Sequence, residues 1–198
     1  MRVSVFDYGA GNLHSLIKTL ERDGAIVEIE TDPSRAARSD VLVLPGVGAF
    51  GHAASRMAHG LADMRSALRD GLPCLGICLG MQLLFDASDE GAGAGLGIFP
   101  GRVHRLESGR VPQIGWNTIE NGDDPLLDAA PLATAYYANS YVCTPDDAGC
   151  VRAWSTHDTA RFPAFVRAGR TVGVQFHPEK SSAPGVALVR AFLREAAR

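Results

Sequence analysis

The sequence predicts an α/β fold, a three-layer sandwich around a central mixed, mostly parallel sheet, and three observations carry this. Short β-branched runs alternate with stretches of helical spacing through the first half of the chain. Two of those runs are almost wholly apolar, as strands covered on both faces are. The second half then replaces helices by turn-like spacers between strands, which extends the same sheet in an antiparallel or mixed sense.

In chain order, Val3 to Phe6 reads as the first strand, and Asn12 to Arg22 has helical spacing through Leu13, Leu16, Ile17 and Leu20. Ala25 to Glu30 is a second strand and Val41 to Leu44 a third. Helical stretches follow, then a fourth strand, Pro73 to Ile77, which feeds a helix from Leu79 to Phe85. Strands separated by helices imply right-handed crossovers and therefore parallel pairing. Asp86 to Gly97 and Asn121 to Pro125 read as loops within one domain spanning residues 1–198, because strands resume promptly after both. Ile98 to Leu106, Ile114 to Ile119, Tyr136 to Val142, Cys150 to Ser155, Phe165 to Ala168 and Thr171 to Phe176 are the later strands, and a helix from Val186 to Ala197 closes the chain.

Composition excludes several classes of function. The 198 residues are 46% hydrophobic and 21% charged, with a formal net charge of −3, so no basic field invites nucleic acid and no polybasic patch invites a membrane surface. No apolar run approaches the roughly 18 residues of a membrane span, and the short apolar start ends at Asp7, too soon for a signal peptide. The expectation is a cytoplasmic protein with free thiols at Cys74, Cys78, Cys143 and Cys150. Neither cysteine pair has the Cys-x-x-Cys spacing of a zinc knuckle, so neither a metal nor a cofactor is expected.

The sharpest local signal is Gly76-Ile77-Cys78-Leu79-Gly80, where an apolar strand meets an amphipathic helix. Glycine two residues either side removes the Cβ atoms that would clash in a sharp reversal, and it exposes the central side chain at the sheet's carboxyl edge. A thiol there is a nucleophile at a helix N-terminus, with the Leu79 N–H placed to face a developing oxyanion. A lone cysteine is more often buried and structural; the paired glycines favour the reactive reading.

A nucleophilic thiol needs a base. Gln175-Phe176-His177-Pro178-Glu179-Lys180 supplies one at the end of a strand, with Pro178 holding His177 in extended geometry and Glu179 two residues on to orient the imidazole. His-Pro-Glu alone fits a surface turn; beside the cysteine elbow it reads as the rest of a triad. A glycine loop, Leu44 to Gly51, leaves the third strand at the same edge, so Gly46, Val47 and Gly48 are candidate oxyanion donors. Its glycines also match Gly-x-Gly-x-x-Gly, but a dinucleotide site requires an acidic residue about 20 positions onward, where Gly71 stands in a turn.

These residues resemble the class I, or triad, glutamine amidotransferases, on Gly-Ile-Cys-Leu-Gly-Met-Gln and the distant His-Pro-Glu. Asp7 to Leu13, Pro45 to Phe50, Gly115-Trp116-Asn117 and His177 to Ser181 further resemble the glutaminase subunits of imidazole glycerol phosphate synthases, from Val3 to the final helix. The resemblance implies a class I glutamine amidotransferase-like sandwich in which Cys78 attacks the side-chain amide of L-glutamine, His177 transfers protons and Glu179 orients it. It also implies that Gln82, Ser140 and Tyr141 hold glutamine. Ammonia would pass to a (β/α)8-barrel synthase subunit that makes imidazole glycerol phosphate in histidine biosynthesis. Tyr8, Asn12, Trp116 and Lys180 are expected on the rim that meets this partner.

Two positions depart from the family pattern. Asn139 and Gln113 stand where the family has histidine, and an amide cannot carry a proton charge. The rival readings are an amidotransferase serving another pathway, a regulatory module with a degenerate site, and a cysteine peptidase. Intact Cys78, His177 and Glu179 argue against the second, and Gln82 with the Pro-Gly-Val-Gly loop argues against the third.

Overall fold

A computed structural model describes residues 1–9, 13–21, 24–120 and 122–198. The first half alternates as the sequence predicts: β1 (Arg2–Phe6), α1 (His14–Glu21), β2 (Ile26–Glu30), α2 (Pro33–Ala36), β3 (Val41–Leu44), α3 (Phe50–Met57), α4 (Leu61–Arg69), β4 (Cys74–Ile77) and α5 (Leu79–Leu83). The second half holds β5 (Phe85–Ser88), β6 (Phe99–Arg105), β7 (Gln113–Thr118), α6 (Pro125–Ala129), β8 (Thr134–Asn139), β9 (Tyr141–Pro145), β10 (Val151–His157), β11 (Ala160–Ala168), β12 (Thr171–Val174) and α7 (Ser182–Ala196). Pro184 falls in the first turn of α7, where its missing N–H costs nothing, so the helix starts earlier than its apolar spacing indicates.

Among the described residues the main sheet has the order β10-β11-β12-β4-β3-β1-β2. Strands β12, β4, β3, β1 and β2 run parallel; β10 and β11 add on antiparallel beyond β12. Strand alternation divides the apolar residues between two cores. Val3, Val5, Val41, Val43, Leu75 and Ile77 pack with α1 and α7 on one face. Phe6, Leu42, Leu44 and Cys74 pack with α3, α4 and α5 on the other. This is the three-layer arrangement. It sends the loops after β1, β3, β4 and β12 to one carboxyl edge.

The later strands correct the expectation of one extended sheet. Among the described residues only β10, β11 and β12 of the later strands join it; β5, β6 and β9 make a separate sheet, and β7 and β8 make a two-stranded ribbon. Period-two alternation records which side chains are buried, not which strand lies alongside, so the sequence carries no signal for this division. The predicted strand Tyr136 to Val142 is two strands, broken at Ser140 where the chain leaves the ribbon for the second sheet. The helix predicted from Leu79 to Phe85 ends at Leu83, and Phe85 to Ser88, read as loop from Asp86, is strand β5. Every residue of α5 is buried, and a helix covered all round has no periodic face to mark its end.

The ribbon is tied to the sheet edge through side chains of both its strands. Asn117 Nδ2 donates to Thr156 O at 2.9 Å, Ser155 Oγ donates to Thr118 O at 2.6 Å, and Ser155 Oγ lies 2.5 Å from the Tyr137 hydroxyl. One ribbon face packs inward through Gln113, Tyr137 and Asn139; the other turns Ile114 and Trp116 outward, 67% and 55% exposed. Elsewhere, Asp124 caps α6 and takes two hydrogen bonds from Arg167, which also reaches Glu195 of α7. That buried pairing fastens α6 and α7 to the sheet.

Candidate active site

Cys78 stands between β4 and α5 with φ +47° and ψ −103°, a conformation outside both regular structures it joins. The flanking glycines explain how the reversal fits. A Cβ on Gly80 would lie 2.0 Å from Leu44 O, and one on Gly76 would lie 2.7 Å from Gly80 O. The strand, the helix start and the neighbouring strand therefore touch backbone to backbone. The thiol reaches the carboxyl edge, with Sγ 3.9 Å from Ala138 O.

His177 comes to the same point from β12. Its backbone is extended, φ −100° and ψ 95°, as the following proline requires, and its N–H donates to Tyr136 O at 2.8 Å. Nδ1 lies 2.8 Å from Glu179 Oε1, which leaves Nε2 for Cys78. Both side chains are nearly buried, at 2% and 9% exposure. Burial opposes the imidazolium, but hydrogen bonds to Cys78 and Glu179 and the attraction of their charges outweigh it and push His177 up from 6.5 to about 9. The ring is a proton donor at neutral pH. By contrast, burial pushes the thiols of Cys74 and Cys143 up, so they stay protonated and inert.

The third side is the loop after β3. A Cβ on Gly46 would meet His177 Cε1 at 2.8 Å and Cys78 Cβ at 3.1 Å, so Gly46 fits against the catalytic pair only because it has none. Gly48 takes φ +117°. Together with Val47, Leu79, Gln82, Glu90, Ala138, Ser140, Tyr141 and Lys180 these residues line a cleft of about 350 Å³, open at the surface. The arrangement can perform acyl transfer: a thiol, an imidazolium oriented by a carboxylate, and backbone N–H groups beside them. The described residues contain no cluster of His, Cys, Asp and Glu suited to a metal ion, and all four cysteines are free.

Residues 4–196 match the family model for glutamine amidotransferase class-I. The chain belongs to the class I glutamine amidotransferase family. Relatives of this amidotransferase include the "Imidazole glycerol phosphate synthase subunit HisH" of Synechococcus sp. (strain JA-2-3B'a(2-13)), 43% identical over 100% of this chain and 94% of the relative. The protein of the same name from Geobacillus thermodenitrificans (strain NG80-2) is 43% identical over 96% and 94%. Among solved structures, PurLQS from Thermotoga maritima has a TM-score of 0.74 at 20% identity, covering 98% of each chain. The glutaminase domain of Trypanosoma brucei CTPS has a TM-score of 0.70 at 17% identity, covering 100% of this chain and 94% of that one. These two likenesses are of fold.

The amidotransferase brings Cys78, His177, Gly46, Val47, Gly48, Leu79, Gln82, Ser140 and Tyr141 around one cleft, with Glu179 bonded to His177. The expected rim is another matter. Tyr8 is fully buried, edge-on to Phe6, and its hydroxyl donates to Pro45 O. It supports the loop after β3 from below and offers no rim surface. Asn12 lies outside the described residues. The aromatic beside Trp116 and Lys180 is Tyr136: the Trp116 and Tyr136 rings meet edge-to-face at 6.4 Å, and Lys180 Nζ lies 6.0 Å from the Tyr136 ring.

The sequence reading gave no role to Glu90, which lines the cleft and accepts from Phe50 N at 2.9 Å at the head of α3. It sits in a glycine-rich stretch with no periodicity to flag it. Gln113 and Asn139, the two departures from the family pattern, face each other in register across β7 and β8, at 3% and 5% exposure. Asn139 Nδ2 donates to Tyr141 O at 3.1 Å. Its Oδ1 and both polar atoms of Gln113 have no protein partner.

Proposed function

We propose that this chain is the glutaminase subunit of an imidazole glycerol phosphate synthase, hydrolysing L-glutamine and passing ammonia to a (β/α)8-barrel synthase subunit. The observation that carries the reading is the pairing of Cys78 with a His177 held by Glu179 at 2.8 Å, in a chain similar over nearly its whole length to relatives bearing that name. Cys78 Sγ attacks the side-chain amide carbon of glutamine while the loop N–H groups and Leu79 N–H receive the oxyanion. The C–N bond then breaks, His177 gives its proton to the departing nitrogen, and a glutamyl thioester remains. Water, its proton taken by His177, releases glutamate. Glu90 offers a negative charge suited to the α-ammonium group, and Gln82, Ser140 and Tyr141 line the same cleft.

The outward ribbon face supports a docking role for Trp116 and Lys180, with Tyr136 in place of Tyr8. It is apolar, exposed and contiguous with the cleft through Ala138. It is also fastened to the base: Tyr136 O accepts from His177 N, Tyr136 N donates to Ser181 Oγ at 2.9 Å, and Ser181 Oγ donates to His177 O at 2.7 Å. A partner pressing on Tyr136 thereby reaches His177 through three hydrogen bonds.

The test is glutamine hydrolysis by the chain alone and with a barrel synthase from the same source, with and without its nucleotide ligand. Slow hydrolysis alone, stimulated on adding the loaded synthase, is expected. Hydrolysis that never responds to that synthase would move the chain to another pathway; none under any condition would remove the glutaminase reading.

A further inference from the structure

Gln175 follows β12 as Cys78 follows β4, and the two strands are parallel neighbours with Val174 paired to Ile77. Its side chain is fully buried, yet both of its polar atoms are engaged. Nε2 lies 3.5 Å from Cys78 Sγ, within reach of a hydrogen bond to sulfur, and Oε1 lies 3.4 Å from Gln82 Nε2. Gln82 Nε2 in turn donates to Tyr141 O at 3.1 Å, the same carbonyl that accepts from Asn139. An unbroken run of amides therefore connects the sulfur with the cleft wall formed by residues 139–141.

We propose that Gln175 is a catalytic residue: its side-chain amide donates to the Cys78 sulfur, stabilising the thiolate, and its carbonyl fixes Gln82 against the wall that holds the substrate. Burying an amide is unfavourable unless both ends are hydrogen-bonded, and an apolar side chain of similar volume would fill this space at lower cost. An amide has one property an apolar residue, a carboxylate or a second imidazole lacks here. It donates to sulfur without carrying negative charge towards it and without competing for the proton that His177 must hold. Gln175 gives the sulfur a donor in addition to the His177 imidazolium, so its lone pairs are oriented before substrate arrives.

The kinetic part of this inference rests on the glutaminase reading; the thiolate part does not. Carboxamidomethylation of Cys78 by iodoacetamide, followed by peptide mass analysis over a range of pH, reads the thiolate without any substrate. Gln175→Met keeps the volume and removes the donor. Alkylation of Cys78 near neutral pH should fall about tenfold or more, as expected for losing one hydrogen bond to a charged group. Its pH midpoint should move up. Gln175→Glu, which places an acceptor against the sulfur, should lower the rate further. In glutamine hydrolysis, Gln175→Met should reduce kcat and also raise KM, because Gln82 loses its anchor. A residue that merely fills space predicts an unchanged alkylation midpoint in Gln175→Met, and that result would overturn the proposal.

If the variants fail to fold, the native chain still decides it. The Gln175 side-chain 15N–1H signals should shift when Cys78 is alkylated, and signals that stay in place would count equally against the hydrogen bond. A chain that never hydrolyses glutamine but whose Cys78 alkylation follows Gln175 would remove the glutaminase reading and leave this one standing.

Discussion

Glu179 Oε1 lies 2.8 Å from His177 Nδ1, while Ser181, two residues further on, fixes the backbone of the same histidine through its carbonyl. One short turn thus sets both the ring and the main chain of the base. Cys78→Ala is expected to abolish glutamine hydrolysis while the synthase, given ammonium, still turns over. Glu179→Gln should cost less than His177→Ala, because an amide or water can still orient the ring whereas nothing replaces the proton carrier. Steady-state rates of the three variants measure this division, and equal losses for the last two would contradict it.

The raised pKa of His177 has a consequence for folding. Its folded value, about 9, lies above the ordinary 6.5 of an unfolded chain, so between those limits the folded state holds more protons. The stability that the charged ring contributes is complete below pH 6.5 and is lost as pH rises through 9. Melting temperatures of the wild type and His177→Gln, followed from pH 6 to 10, should differ most at the acid end and converge at the alkaline end.

Removing Trp116 or Lys180 side chains should weaken stimulation by the synthase more than basal hydrolysis. Trp116 on the ribbon and Lys180 on the turn after His177 both approach the Tyr136 ring, and Tyr136 O accepts from His177 N. For Trp116→Ala a loss of about 2 kcal/mol or more in binding is expected of a central aromatic anchor, with a smaller loss for Lys180→Ala. Dissociation constants alongside basal and stimulated rates decide it; intact binding in both variants would place the docking face elsewhere.

Tyr8→Phe should act on the fold and spare the docking face. The hydroxyl is buried and donates to Pro45 O, so its loss strands a buried carbonyl beneath the loop that begins at Gly46, at about 1–3 kcal/mol. Thermal unfolding should drop by roughly 3–10 °C for a chain of this size, with affinity for the synthase retained.

Alanine at two glycines of the site should fail in different ways. Gly80→Ala drives a Cβ to 2.0 Å from Leu44 O, backbone against backbone, and should prevent stable folding. Gly46→Ala meets the edge of a side chain, His177 Cε1 at 2.8 Å, and should fold with a displaced ring and a much reduced kcat. Circular dichroism and glutamine turnover on the two proteins separate the outcomes.

The parts of this molecule legible in its sequence are those where one residue type answers to one physical demand. Val41 to Leu44 is apolar throughout because both faces are covered, and that alone places it inside a parallel sheet. Gly76 and Gly80 announce the elbow because no side chain fits either position. The ribbon was not legible: Gln113 to Thr118 alternates like any half-buried strand, and its pairing with β8 depends on where Ser140 breaks the chain. Tyr8 misleads for a related reason, since an aromatic just past a strand reads equally well as rim or core until the neighbouring loop is placed over it. Glu90 and Gln175 have their meaning only in contacts with residues 40 and 97 positions away.

The positive φ at Cys78 places the nucleophile in a conformation that glycine adopts freely and a side-chain-bearing residue resists. Reactivity and folding therefore pull in opposite directions at this one residue. A chain selected only to withstand heat would drift towards glycine here and lose its chemistry without losing its shape. The two hydrophobic cores that grip the sheet from either side hold the cysteine in place against that drift. Part of what they contribute to stability is spent on keeping one unwilling residue where it can react.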